Sequence, residues 1–477
     1  MDFGEPSDDE MDAGKVRVKF VTKIPSIRVT ETPVAVPETL QRYGLSEVVN
    51  HLLGRDPPTP FDMLVMGRFL RSSLRSVMQR HALSGEAVLE VEYLPALRQP
   101  TEAEHADQPD WVSAVAGAGE GQEAFVTGCY DGCLRVYGPG CKVTSLEKAH
   151  QAPVTALCAV PSSSAAGGVG GGGHTAGFLS GSKDMTARLW RISGSSRCVG
   201  CVCAPAAVLR GHANSISAVH AATGGSGGAA RAYTGDWSGH VCIWDAACLE
   251  QGKADGESGG ISTSQQGSKR RKTDQGAAAV AGAAAAPEQT PLATFRAHAQ
   301  AVTGLAGPGG MGGGGVGGQK QAAGAGVSTL YTASLDRAVK TWDAERQDCV
   351  HTLNAPKAVT CLGCSDSGRM LATGHPDARV RIWDTRTQGE TLTRASLSSH
   401  KRWVTDVKWA PGSETMVLSC GHDGAVKLWD IRSALPLHSA QAHQGKALCC
   451  GWHKGKIVSG GEDGEVKTYV VPERSHD

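Results

Sequence analysis

One short pattern recurs through the last three quarters of the chain and limits what it can fold into. A Ser or Thr is followed four positions later by Asp, and six positions after that by an aromatic residue. It reads Thr127–Asp131–Tyr137, Ser180–Asp184–Trp190, Thr332–Asp336–Trp342, Thr373–Asp377–Trp383, Ser419–Asp423–Trp429 and Ser459–Asp463–Tyr469. A seventh copy, Thr234 to Trp244, carries Ser238 where the Asp belongs, with Asp236 two residues early. Its turn is expected to be degenerate or remodelled. A small residue followed by His precedes five copies, at His150, His212, His298, His400 and His443; the fifth copy has Asn354-Ala355 instead. Segments such as Arg379–Trp383 and Ala425–Trp429 alternate in the manner of strands.

These are WD repeats, each a four-stranded blade of a β-propeller, and seven copies predict seven blades. The repeated residues suit a hydrogen-bond relay inside each blade, which helps only when every member is satisfied. Full sets are expected in blade two (His150, Ser180, Asp184, Trp190), blade four (His298, Thr332, Asp336, Trp342) and blade six (His400, Ser419, Asp423, Trp429). A His and an Asp so placed resemble catalytic groups, but their repetition at fixed positions assigns them a structural role.

The aromatics are spaced by 53, 54, 98, 41, 46 and 40 residues, against a natural period of about 40. The excess is insertion. Gly-rich stretches at 162–174 and 307–327 read as surface loops, and a polar then Ala-rich insert at 250–289 is expected between blades three and four. Inside that insert, Lys269, Arg270, Arg271 and Lys272 form a basic cluster suited to a nuclear import signal. A solvated charge run or a weak RNA contact are the other readings of the same residues.

Composition sets further bounds. Glycine, at 62 residues, is well above its usual share, which favours short strands and turns. Lys+Arg and Asp+Glu both total 47, so no global field draws the chain to nucleic acid or an anionic membrane, and direct rRNA contact is left open. The 1–14 segment is acidic, unlike a secretory or mitochondrial leader, and no apolar run reaches the length of a membrane span. The 15 cysteines are read as reduced thiols. Cys198/Cys201 and Cys361/Cys364 have zinc-knuckle spacing, but the second pair lies in a strand pattern and the first lacks a fourth ligand, so no metal or cofactor is expected. No nucleophile motif, P-loop or paired carboxylates stand outside the repeat positions, so no enzymatic activity is expected.

Residues 15–93 carry a different pattern. Val16–Phe20 alternates as a strand and Ile27–Val29 is expected to open its hairpin partner. Leu40–Leu53 has a helical apolar stripe, Phe61–Val65 is a strand, a second helix is expected around Leu74–His81, and Ala87–Tyr93 closes as a strand. The order β-β-α-β-α-β predicts a small ubiquitin-like α/β roll. Residues 94–109 are expected to link it to a propeller spanning 110–472, with part of that stretch supplying the strand that closes blade seven; 473–477 is a tail.

Arg42–Gly54, Pro60–Leu64, Phe69–Leu74 and Ser84–Tyr93 resemble the Notchless-like (NLE) domain. Joined to seven WD repeats, with Asp110-Trp-Val-Ser113, Trp403–Trp409 and the basic insert, the chain resembles the Ytm-type WD-repeat ribosome-biogenesis factors of the PeBoW complex. The resemblance implies a nuclear factor, nucleolar and nucleoplasmic, needed for large-subunit rRNA processing and 60S maturation. It implies a propeller that docks on the block-of-proliferation homologue, with pescadillo and the pre-60S particle as further partners. It also implies that the AAA ATPase midasin grips the NLE domain, with Glu86 as the ligand of a partner-held Mg²⁺ in the midasin MIDAS domain. An exposed carboxylate suits a hard cation with one open coordination position. Notchless itself shares the N-terminal domain but normally has eight repeats. A ubiquitin-ligase adaptor would need an F-box, RING or helical adaptor segment, and none is seen.

Overall fold

The computed structural model describes residues 14–83, 87–117, 124–161, 175–193, 202–224, 228–249, 286–308, 329–386 and 393–472. The first unit is a five-stranded mixed sheet with two helices. Its elements are β1 (Lys15–Val21), β2 (Val34–Pro37), α1 (Arg42–Leu53), β3 (Phe61–Val65), β4 (Arg68–Phe69), α2 (Leu74–Arg80) and β5 (Val88–Pro95). The sheet order is β2-β1-β5-β3-β4, with β1 and β5 parallel at its centre and the remaining pairs antiparallel. The apolar stripe of α1 buries Leu45 and Val49 against Val18, Phe20, Phe61 and Tyr93. Gly54 ends α1 in a left-handed conformation, which a residue without Cβ adopts freely.

Two details differ from the sequence expectation. The hairpin partner of β1 is Val34–Pro37, not Ile27–Val29. Pro25 starts a 3₁₀ turn, and the Tyr93 hydroxyl takes up the backbone instead, donating to the Ile27 carbonyl and accepting from the Val29 N–H. The two-residue strand β4, absent from the expected order, pairs with β3 across a tight turn at Met66-Gly67.

The rest of the described chain forms seven sheets, each built on an antiparallel four-strand meander. Inner strands of neighbouring blades pack side by side around the axis, first against last (Ala447–His453 beside Val112–Gly117). Apolar residues of one blade pack on those of the next, so every blade buries a face it could not cover alone. The outer strand of blade seven is β6 (Thr101–Asp107), paired antiparallel with Glu465–Val470. The chain therefore closes the ring with its own N-terminal side. Of the segment 94–109, Leu94 and Pro95 belong to β5 and 101–107 to this blade, which leaves a connection of only five residues between roll and ring.

The insert also sits elsewhere than expected. The outer strand of blade three, Ala293–Arg296, follows it and pairs with His240–Asp245. The insert therefore interrupts blade three between its third and outer strands, rather than separating blades three and four. Its last residues, Glu288–Gln289, pair with the outer strand of blade two. Lys269, Arg270, Arg271, Lys272, Glu86, both Gly-rich loop cores and the Cys198/Cys201 pair lie outside the described residues. No helix among the described residues is long and apolar enough to cross a membrane.

Candidate functional site

The relay residues resemble a catalytic set. In blade two, Ser180 Oγ lies 2.8 Å from His150 Nε2 and accepts from Trp190 Nε1 at 2.9 Å, while His150 Nδ1 is 3.1 Å from Asp184. Blade four repeats this with Thr332, His298, Trp342 and Asp336, and blade six with Ser419, His400, Trp429 and Asp423. One proton arrangement satisfies every member: Trp N–H donates to the hydroxyl, the hydroxyl to Nε2, and Nδ1–H to the carboxylate. Asp Oδ1 also accepts the N–H two residues on, as from Thr186 and Ala338, which folds the turn. Ser180, Thr332 and Ser419 are fully buried, so their hydroxyls meet no substrate.

Blade three is not degenerate. His212 Nδ1 is 2.9 Å from Asp236, while His212 Nε2 and Trp244 Nε1 both reach Thr234 Oγ1. Asp236 takes the missing acid's place from two residues upstream, and its Oδ1 accepts from the N–H groups of Ser238 and His240. The turn is remodelled and the relay kept.

Blades one and five solve the missing histidine differently, with residues that carry no repeat marker. Gln108, next to β6, donates to Thr127 Oγ1 at 2.7 Å and to the Tyr137 hydroxyl at 2.8 Å. In blade five His375 turns back onto Thr373 at 2.8 Å, with Nδ1 on the Ala358 carbonyl. In both blades the orphaned turn acid is held by an arginine four residues on, Asp131 by Arg135 and Asp377 by Arg381, each at 2.6 Å. An Arg at that offset from a relay Asp without its upstream His is the signal that could have revealed them.

The buried histidines make the fold sensitive to acid. Burial, with Arg381 nearby, pushes His375 down to about 4, and burial with Lys408 does the same to His220. Burial also lowers His150, His298 and His443. A group whose folded pKa lies below its unfolded value of about 6.5 stabilises the fold above that value and loses this contribution as pH falls. Asp423 adds a lower step: burial opposes it, but hydrogen bonds from His400 and the Lys401 N–H bring it down to about 2. His212 runs the other way. Burial would lower it, but Asp236 and Cys242 hold it up at about 9, so its contribution is complete below about 6.5 and fades as pH rises through 9. Thermal unfolding is therefore expected to show a Tm that drops steadily from pH 6.5 to 4. A Tm unchanged between pH 7 and 5 would mean that His150, His220, His298, His375 and His443 are not held neutral.

The surface is more informative. In each blade the inner strand starts, and the second-to-third strand turn lies, on one face of the ring. On that face Trp111, Trp237 and Trp403 are 36%, 55% and 53% exposed. Trp111 packs on Tyr130 with Lys446 over its ring, Lys183 covers Tyr130, and Trp403 stacks on His422. Large aromatics flanked by cations, left open to water, are the composition of protein-interface anchors.

The roll sits on the opposite face. Its Phe69 N–H donates to the Arg432 carbonyl in the third-to-outer strand turn of blade six, and Leu64, Phe69 and Leu94 pack with Leu437. His438 Nε2 is 3.0 Å from the Leu97 carbonyl, pinning the short connection. Ala87, which follows Glu86 in the chain, immediately precedes β5, whereas the chain crosses to the ring from the other end of that strand at Pro95. Seven residue steps at about 3.3 Å each separate those ends by roughly 23 Å.

Cys361 is buried and its thiol is held well up by burial; Cys364 is likewise raised by burial, and both are free. Among the described residues one trio, His443, Asp463 and Glu465, could converge on a metal, and its His and Asp are already paired in the blade-seven relay.

Comparison with known proteins agrees with this architecture. The NLE (NUC135) domain family matches residues 16–78, and the WD domain, G-beta repeat, matches 140–191, 203–245, 347–384 and 392–430. A ribosome biogenesis protein WDR12 homolog of Chlamydomonas reinhardtii is 33% identical over 95% of this chain and 97% of its own length. The homolog of Oryza sativa is 31% identical over 98% of both chains. The ribosome biogenesis protein YTM1 of Eremothecium gossypii is 29% identical over 96% of this chain and 97% of its own. With roll, ring and near full-length similarity together, the chain belongs to the WDR12/YTM1 family of ribosome biogenesis proteins.

Proposed function

We propose that this ribosome-biogenesis factor is the scaffold subunit of a PeBoW-type complex with pescadillo and block-of-proliferation homologues. It serves maturation of large-subunit rRNA and formation of the 60S subunit in the nucleolus and nucleoplasm. The propeller binds the block-of-proliferation homologue, and the roll presents Glu86 to the Mg²⁺ of the midasin MIDAS domain, through which the ATPase pulls the complex from pre-60S particles. The 269–272 cluster serves nuclear import. The scaffold needs no catalytic residue of its own.

The observation that carries this reading is the separation of two surfaces. The tryptophan-bearing face is free for a flat partner because the roll docks on the other face. The roll is tied down along β4 and the end of β5, leaving the Glu86 end of β5 remote from the chain crossing. A scaffold anchored by one surface and pulled by another needs this division.

The test is a double dissociation with purified proteins. Trp237→Ala/Trp403→Ala is expected to weaken binding to the block-of-proliferation propeller at least 30-fold, since a buried tryptophan anchor contributes about 2 kcal/mol or more. The same variant binds the Mg²⁺-loaded MIDAS domain normally. Glu86→Gln keeps the shape but loses the charge, and reverses the pattern. Loss of both contacts in either variant, or of neither, refutes the assignment.

A further inference from the structure

We propose that the groove between roll and ring binds the phosphate backbone of single-stranded RNA. The groove has a volume of about 750 Å³. On its roll side stand Arg68 in β4, Arg71 just after β4 and Arg80 at the end of α2, all exposed. On its ring side stand Arg394, from the outer strand of blade five, and Arg432. Neither Asp nor Glu lines it.

Two of these charges are already balanced in part. Arg432 pairs with the buried Asp430 at 2.7 Å, and Arg394 lies 3.9 Å from Asp384, which Arg386 holds more closely. Arg68, Arg71 and Arg80 have no ion-pair partner among the described residues. In a chain of zero net charge, three unpaired guanidiniums gathered on one wall are a local excess that draws a polyanion. Arg71 and Arg432 also lie over the Phe69 ring, at 5.4 and 5.3 Å, which limits how far either can swing. Guanidinium forks suit phosphate oxygens, and a fixed fork loses less entropy on binding.

The cations favour a phosphodiester strand over an acidic peptide, because all five are arginines, whose forks match phosphate oxygens in pairs. They come from the roll and from two blades, so a strand lying in the groove meets both walls. Of the apolar lining, Val65, Leu70 and Leu397 are buried in the cores beneath, while Met66 and Leu435 are 64% and 54% exposed and offer the bases an apolar contact. The site lies at the joint between the two units, so a strand held there touches both.

The test uses the full chain and an oligouridine of about 20 nucleotides, a length that covers one or more typical single-strand sites. Anisotropy titrations between roughly 50 and 200 mM salt give the slope of log affinity against log salt, which falls by about 0.7 per lost phosphate contact. Arg68→Ala/Arg71→Ala/Arg80→Ala is expected to reduce that slope by about 2 and to weaken binding at least tenfold at the low-salt end. Replacing Lys269, Arg270, Arg271 and Lys272 with Ala leaves this slope drop intact. Should the triple variant fold poorly, Arg80→Glu at the exposed helix end is expected to act in the same direction. An unchanged slope in the triple variant overturns the proposal. So does RNA binding abolished by the 269–272 substitutions alone, or a polyglutamate of equal length that binds more tightly than RNA and loses that binding in the triple variant.

Discussion

Replacing Asp423 with Ala is expected to lower the stability of the propeller by about 3 kcal/mol, a large effect for one side chain. The carboxylate accepts three N–H groups: His400 Nδ1 at 3.0 Å, the Lys401 backbone at 2.8 Å and the Ala425 backbone at 3.3 Å. Without it the His400 side chain, which has no exposure to solvent, keeps a donor with no partner. A hydrogen bond to a charged group contributes about 1.5–3 kcal/mol, and an orphaned buried donor costs about 1–3 kcal/mol. The blade-one acid is expected to matter less, because Asp131 serves a turn and an arginine while Gln108 carries the buried hydroxyl contact. All ten tryptophans lie between Trp111 and Trp452, so urea unfolding followed by tryptophan fluorescence reports the ring alone. A loss below about 1 kcal/mol for Asp423→Ala would show that the relay is ornamental to stability.

A still larger effect is expected at the closing strand. Replacing Thr101–Asp107 with an equal length of alternating Gly and Pro keeps the tether but cannot supply the ladder, since Pro lacks the N–H. The partner strand Glu465–Val470 then becomes an open edge, and blade seven is reduced to three strands. Gln108, which follows the strand directly and completes blade one, loses its anchor as well. One segment thus secures the blades on both sides of the ring seam, and its loss is expected to abolish cooperative unfolding of the ring. Cooperative melting within a few degrees of the parent would mean the ring is closed by blade-to-blade packing alone.

The relay shows why some of this was legible in the sequence. Asp184, Asp336 and Asp423 stand at fixed offsets from a hydroxyl and an aromatic because the turn between two strands has one geometry. Six copies of that turn therefore write the same spacing into the chain. Blade three broke the spacing because Asp236 reaches the same histidine from a different turn residue. Blades one and five hid their relay partners because Gln108 and His375 fill the place of His with another residue or another position. The spacing puts the insert one strand late because Ala293–Arg296 is short and lacks a repeat marker, and only its pairing with His240–Asp245 assigns it to blade three.

The site was less legible than the fold. Glu86 stands out only through the resemblance, since a lone acidic residue in a Ser-Gly-Glu-Ala stretch carries no spacing signal. Trp111 and Trp403 belong to the resemblance, but that they share an open face with Trp237 follows from strand direction in three separate blades. The basic groove was invisible for the same reason: Arg68, Arg71 and Arg80 meet Arg394 and Arg432 across more than 300 residues of chain. Local pattern records what a turn or strand requires, whereas a surface between two units exists only after both have folded and met.

The central claim, a ring that anchors and a roll that is pulled, is tested most directly by purifying tagged protein from nuclear extract beside its Glu86→Ala variant. Both forms are expected to bring down pescadillo and block-of-proliferation homologues with large-subunit precursors. Only the variant is expected to lack midasin and to accumulate on those precursors. If neither form retrieves the two partners, or if the variant retains midasin and leaves precursors at the parental level, the account is contradicted.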